Sequence, residues 1–282
     1  MIRRMISAGL RAVLVAVVIL LPSLVLPSDG AEAAQVVSLV AIVAAALTFV
    51  EYFATYPSII EFRDARPFNR VRFCALALTV VLLTLACRDT IAPVLLTGTV
   101  ADIGSTLGRW TDFPYSPVRM VVLMMPPDAP QTAIEIVRTG AGTAYIISLA
   151  MIVVFFVQVR LRDWPTRQGT FNVWVNLPLF DPTAGGDVLI RLKRDANVNI
   201  ALGFLLPFLI PAIIKVTSDA FDPISITAPQ TLVWTLSAWA FLPASLIVRG
   251  LALGRVAELI EQKRRRAYAK AEAKGEIVEA HA

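Results

Sequence analysis

Val36-Val37-Ser38-Leu39-Val40-Ala41-Ile42-Val43-Ala44-Ala45-Ala46-Leu47-Thr48-Phe49-Val50 carries no charge, and Glu51-Tyr52-Phe53 closes the run. As a helix rising about 1.5 Å per residue, 36–53 covers about 27 Å, close to the thickness of a bilayer's hydrocarbon core. Five further runs of similar length occur at 12–27, 73–90, 141–159, 199–214 and 231–248. Hydrophobic residues make up 57% of the 282-residue chain and charged residues 17%. Soluble domains average about 45–50% and 25%. The expected fold class is therefore an all-α membrane protein with six transmembrane helices. One spanning domain over 1–250 is followed by a charged, helical, cytoplasmic tail over 251–282.

The first run needs separate treatment. Arg3, Arg4 and Arg11 precede it and Ala31-Glu32-Ala33 follows, a pattern that resembles a secretory signal with its cleavage site. The reading adopted is an uncleaved first span. It forms a hairpin with 36–53 around Ser28-Asp29-Gly30.

Charge orients the pattern. Of the 26 Lys and Arg residues, only Arg88, Arg109, Arg119, Arg138 and Lys215 fall outside four segments. Those segments are the N-terminus, the 54–72 and 160–198 loops, and the chain from Arg249 onward. They lie on one side of an alternating six-span arrangement. The positive-inside rule then predicts N-in/C-in topology, with both termini in the cytoplasm of a bacterium and the spans in its inner membrane. Tyr52, Tyr56, Trp110, Trp164 and Trp174 fall near span ends, as interfacial aromatics do.

A long outer loop, 88–140, joins spans three and four. Its apolar pieces, Ile91 to Leu96 and Val118 to Met125, are too short to cross, and suit interfacial or re-entrant helices. Pro130-Gln131 marks a helix start that runs unbroken into the fourth span. Arg88-Asp89 falls at the outer interface. In the inner loop, 170–180 alternates as a short strand would, and Asp181 to Gly186 reads as a turn. Asp187 then caps a helix through Leu189, Leu192 and Ala196 into the fifth span. After the sixth span, Leu253, Val256, Leu259 and Ile260 form one apolar stripe, and disorder is expected past Gly275. Phe62-Arg63-Asp64 echoes Leu161-Arg162-Asp163, but the spacings around them differ and chance explains the echo.

Chemistry-bearing motifs are scarce. His281 is the sole histidine, which argues against haem, histidine-zinc and Ser-His-Asp sites. Cys74 and Cys87 sit on one helix about 20 Å apart, too far for a disulfide, and read as small buried apolar residues. No cofactor or metal is implied. Runs two, four, five and six hold no Asp, Glu, Lys or Arg in their interiors, which argues against proton- or ion-coupled transport. Pro207 and Pro211 share a helix face and kink the fifth span. Arg63, Arg66, Arg70 and Arg72, with Lys263, Arg264, Arg265 and Arg266, are the candidate lipid- or partner-contact residues. They serve as topology determinants or attract anionic headgroups.

The expected partners are membrane lipids and another membrane protein or complex, with no nucleic acid. The favoured expectation is a non-enzymatic accessory, assembly or scaffold protein. A carrier for a neutral or lipid-like solute, built around the kinked fifth span, is the alternative. An intramembrane or interfacial enzyme is the second alternative.

Overall fold

The computed structural model of the chain describes all residues except 28–29, 162–163, 166–171, 173–175, 179, 181–185, 221–227 and 274–282. The described residues form eight helices. They are α1 (Ile2–Val25), α2 (Ala31–Phe53), α3 (Phe68–Asp89), α4 (Leu95–Thr111), α5 (Pro117–Leu123), α6 (Gln131–Leu161), α7 (Val188–Ala220) and α8 (Pro229–Ala273). Six of them, all but α4 and α5, are long and apolar enough to cross a membrane. A multi-pass membrane protein has this composition.

The helices outrun the apolar runs that announce them. α1 begins at Ile2 rather than near residue 12, and α8 reaches Ala273. The end of an apolar run marks a change of solvent, whereas a helix stops only where its backbone bonds are broken or capped. Pro67 precedes α3, and Ser116 caps α5 by accepting the Arg119 N–H at 2.9 Å, with Pro117 at the first position. Asp187 caps α7 as expected, accepting the Leu189 N–H at 2.9 Å. α6 starts at Gln131 and is unbroken through Glu135 and Arg138.

α6 lies at the centre, packed on α3, α4, α5 and α8. α7 and α8 form the most extensive antiparallel pair. Their partnership continues past the apolar runs: Leu192 and Ala196 are buried with Leu253, Val256 and Ala257, so the start of the 251–282 segment belongs to the core. Lys193–Glu261 (2.7 Å) and Arg264–Asp187 (3.0 Å) extend the pair, and Glu261 also meets Arg265 at 2.6 Å. The Arg264 guanidinium, helped by the Leu189 N–H, holds the Asp187 carboxyl below its usual value. A folded-state value below the unfolded one means that the link is complete at neutral pH and fades as pH falls through it.

Two departures concern aromatic and cysteine positions. Trp164 is 2% exposed, packed among Phe62, Phe68 and Phe155, with its Nε1 donating to the Ala65 carbonyl at 3.1 Å. It is a core residue and not part of an interfacial belt. Tyr56 and Trp110 are exposed, and Trp174 lies outside the described residues. Cys74 is exposed and Cys87 buried. Most of the strand expected over 170–180 also lies outside the described residues. The Asn176 N–H donates to the Asn172 carbonyl at 3.2 Å. The turn at 181–185, the Arg162-Asp163 echo and the chain past Gly275 lie outside the described residues.

α4 is not a span, yet it sits tightly on α6. The contact depends on Gly108 and Gly142: a β-carbon at Gly142 would lie 2.5 Å from the Gly108 Cα. Small residues permit such an approach, and the dispersion gained there holds helices together where lipid competes for apolar surface. Replacing Gly142 with alanine should therefore force α4 away from α6 and destabilise the fold by about 1–3 kcal/mol. Thermal unfolding in detergent should show a lower midpoint for Gly142→Ala and none of that loss for Gly9→Ala, because nothing lies within 4 Å of a β-carbon at Gly9.

Candidate functional site

The 54–67 loop is held by two buried, oppositely charged side chains. At the end of α2, carbonyls lack helical donors. Arg63 supplies them: Nη1 donates to Glu51 O and Ala54 O at 2.8 Å each, and Nη2 to Thr55 O at 3.1 Å. In return, the Glu51 carboxylate accepts the N–H groups of Ser58 (3.0 Å), Ile59 (3.1 Å) and Ile60 (3.1 Å), together with the Ser58 hydroxyl. Beyond Ile60, Phe62 adopts φ 52, a left-handed conformation that costs a non-glycine residue about 1–2 kcal/mol. Its full burial against Phe68 and Trp164 offsets that strain.

This loop closes one side of a polar basin. Arg4, Ser7 and Arg11 of α1, Tyr52 of α2, and Arg63, Asp64 and Arg66 of the loop line a cavity of about 240 Å³. The Arg11 guanidinium stacks 4.5 Å from the centre of the Tyr52 ring. Arg4 donates to the Ala54 carbonyl. Asp64 pairs with Arg63 through two contacts of 3.2 Å.

The eight arginine and lysine candidates from the sequence divide by role. Arg63 is buried and serves the fold. Arg66 and Arg70 are exposed. Arg72 is half-buried, its guanidinium 5.1 Å from the Phe68 ring centre and 6.0 Å from that of Phe241. Lys263, Arg264, Arg265 and Arg266 are exposed on α8, with Arg264 and Arg265 in the ion pairs described above. The two clusters do not join. The loop meets α8 where Arg249 donates to Glu61 at 2.6 and 2.8 Å. From there to Lys263, fourteen residues of helix span about 21 Å. Sequence reading missed Arg4, Ser7, Arg11 and Tyr52. Pairing of α1 with α2 as an antiparallel hairpin brings Arg4 to Ala54, so the signal was present in the spacing.

Pro207 and Pro211 are both buried in α7. Pro211 has no N–H, so the Pro207 carbonyl four residues earlier loses its helical donor. Trp239 of α8 replaces it, Nε1 donating to Pro207 O at 3.0 Å. Beside this contact, Val121, Met124, Ile210, Pro211, Trp239 and Leu242 are among the residues lining an apolar cavity of about 250 Å³. A third cavity, of about 200 Å³, is bordered by Asp102 and Glu135. Glu135 is engaged by Arg138 at 2.5 Å, and Arg138 also meets Asp112 at 2.7 Å. Among the described residues, no three His, Cys, Asp or Glu side chains group as metal ligands would.

Comparison of the chain with models of known families, with curated proteins and with solved structures finds no match. Its geometry alone carries the reading that follows.

Two substitutions separate fold from site. Trp239→Phe keeps an aromatic side chain but strands the Pro207 carbonyl, and should cost about 1–3 kcal/mol of stability in detergent melts. Pairing it with Pro211→Ala, which restores the missing N–H, should recover part of that loss. Arg63→Gln should destabilise by a comparable amount, because it leaves buried carbonyls and the Asp64 pairing without their donor. Arg66→Gln, which removes no hydrogen bond among the described residues, should leave the melting midpoint unchanged.

Proposed function

We propose that this chain is a six-span protein of a bacterial inner membrane. Both termini face the cytoplasm, and α4 and α5 lie on the outer side. It acts as a non-enzymatic accessory or scaffold protein that engages anionic lipid and a partner membrane protein. Support for the orientation comes from where the cationic segments meet. Arg4 bonds the 54–67 loop, Arg249 bonds Glu61, and the Arg255 Nε donates to the Trp164 carbonyl at 3.2 Å. Four chain segments rich in arginine thus converge on one end of the bundle, as the positive-inside rule requires of segments sharing a compartment.

The scaffold reading rests on one observation. From Gln262 to Lys270 every residue of α8 is exposed, although the helix is continuous with the core. An isolated helix this short is marginal in water, whereas here the packed part of α8 supplies the nucleus. The result is a preformed cationic arm whose Lys263, Arg266 and Lys270 have no partner among the described residues. Electrostatic steering toward an acidic partner surface follows from such an arm. In α7, Trp239 already takes the Pro207 carbonyl, one of the backbone acceptors that the proline pair would offer a solute, which supports this reading over a carrier.

Reporter fusions should place residue 115 and the C-terminus in opposite compartments; the same compartment for both would sink the orientation. For the scaffold role, the tagged full chain is purified from its own membranes in mild detergent, beside a Lys263→Glu, Arg266→Glu, Lys270→Glu triple variant. A membrane protein recovered in fixed stoichiometry with the first and lost from the second is the expected outcome. Identical recoveries from both would defeat the proposal.

A further inference from the structure

We infer that the basin between α1, α2 and the 54–67 loop is a binding site for one phosphate group. Its chemistry is that of an anionic lipid headgroup or a free phosphate. The inference stands on the charges and donors that line this cavity, and does not need the tail of α8 or any protein partner.

Four arginines line about 240 Å³ of space, and Asp64 is the one carboxylate among the lining residues. Asp64 is already matched with Arg63 by two contacts of 3.2 Å. Arg63 is further engaged by the three carbonyls at the end of α2. The pair is therefore electrically closed. Arg4, Arg11 and Arg66 remain, and no lining side chain offsets them. Like charges held around one cavity repel, and an anion in their midst reverses the sign of that interaction.

Donor capacity points the same way. Each guanidinium carries five N–H donors in a planar fork. Arg4 uses Nη2 on the Ala54 carbonyl, and Arg11 uses Nη1 on the carbonyl and hydroxyl of Ser7. The rest of both forks, the whole of Arg66 and the Tyr52 hydroxyl have no acceptor among the described residues. Phosphate oxygens are the acceptors that several arginine forks recognise together. The Arg11–Tyr52 stacking and the Arg4–Ala54 bond fix two of the forks before any anion arrives, which lowers the ordering cost of binding.

Position favours the lipid as the source. Arg4 and Arg11 precede the apolar run of α1, which begins at Ala12, and Tyr52 follows the apolar run of α2. The basin thus sits at the level where hydrocarbon gives way to headgroups. Leu10, Val13, Leu14, Leu47 and Val50 of the same hairpin are exposed, giving acyl chains apolar surface on the two helices that carry the basin.

The test uses the full chain in neutral detergent. Native mass spectrometry and thermal melts are recorded with phosphatidylglycerol, with phosphatidylcholine and with inorganic phosphate. The wild type is compared with Arg11→Gln/Arg66→Gln, with Tyr52→Phe, and with Lys263→Gln/Arg266→Gln, a tail variant of equal charge loss. One phosphatidylglycerol per chain is expected on the wild type and the tail variant. Affinity should fall by about tenfold for each basin arginine removed. Tyr52→Phe, which keeps the ring under Arg11, should show a smaller loss. Binding of inorganic phosphate with the same dependence on Arg11 and Arg66 would support the site and assign it to a free anion. Equal lipid retention by the basin and tail variants, or phosphatidylcholine bound as well as phosphatidylglycerol with no phosphate binding, would overturn the inference. Because the tail variant keeps the basin intact, failure of the scaffold role and failure of this site are distinguishable.

Discussion

Backbone polar groups that cannot reach water must find partners inside the protein, and this constraint shapes three irregular points in the bundle. Pro211 in α7 would orphan the Pro207 carbonyl, and Trp239 reaches across from α8 to take it. The end of α2 would orphan several, and Arg63 takes those. Loop amides following α2 would lack acceptors, and Glu51 provides one carboxylate for three of them. In each case a long polar side chain does what water does at the helix ends of a soluble protein. That explains why two ionisable residues, Glu51 at 5% and Arg63 at 9% exposure, are nearly enclosed. Each is fully bonded, which is the condition under which buried charge is tolerable.

Close packing is the second requirement. Between helices in lipid, apolar surface gains little from leaving one hydrocarbon environment for another, so shape must supply the attraction. Gly203 and Gly250 show how. A β-carbon at Gly203 would meet the Pro243 carbonyl oxygen at 2.5 Å, and one at Gly250 would meet the Ala196 carbonyl oxygen at 2.7 Å. α7 and α8 are thus in backbone contact at two levels, which positions Lys193 opposite Glu261 and Asp187 opposite Arg264 further along. The extension of α8 beyond the core inherits its direction from that contact.

What could be read from the chain, and what could not, follows from the range of the interactions involved. Spans depend on length and local composition, so the six apolar helices were legible. So were the Asp187 cap, the unbroken entry of α6 and the continuation of α8, because caps and helix stops act within a few residues. Arg63 was read as a candidate lipid- or partner-contact residue, and its bonds to the end of α2 were not legible, since they reach carbonyls eight to twelve residues away in a loop whose path is tertiary. Trp164 was misread as an interfacial aromatic for the same reason: its neighbours Phe62 and Phe68 are about a hundred residues distant. Cys74 was taken as buried because hydrophobic composition cannot say which side of a membrane helix faces lipid. The basin was invisible as a set, although its members were all present. Only the hairpin of α1 and α2 brings Arg4 and Arg11 to Tyr52 and the loop.

Arginine usage along the bundle is selective in a way that composition hides. Several arginines partly enclosed by helices are paired with carboxylates: Arg138 with Asp112 and Glu135, Arg249 with Glu61, Arg255 with Glu258. Such pairing compensates a cation withdrawn from water. Arg72 instead lies against the Phe68 and Phe241 rings, its Nε without a hydrogen-bond partner among the described residues. Around the basin, three arginines share one cavity without a carboxylate of their own. Topology alone does not require this, because a positive-inside signal depends on the number of cations on a side and not on their convergence. Arg4 and Arg11 lie seven residues apart, two helical turns, so both project toward α2 and the loop. Cations spread around α1 would orient the hairpin equally well and repel one another less. Their concentration on one face, fixed by Tyr52 and the Ala54 carbonyl, is the arrangement that a bound anion would stabilise.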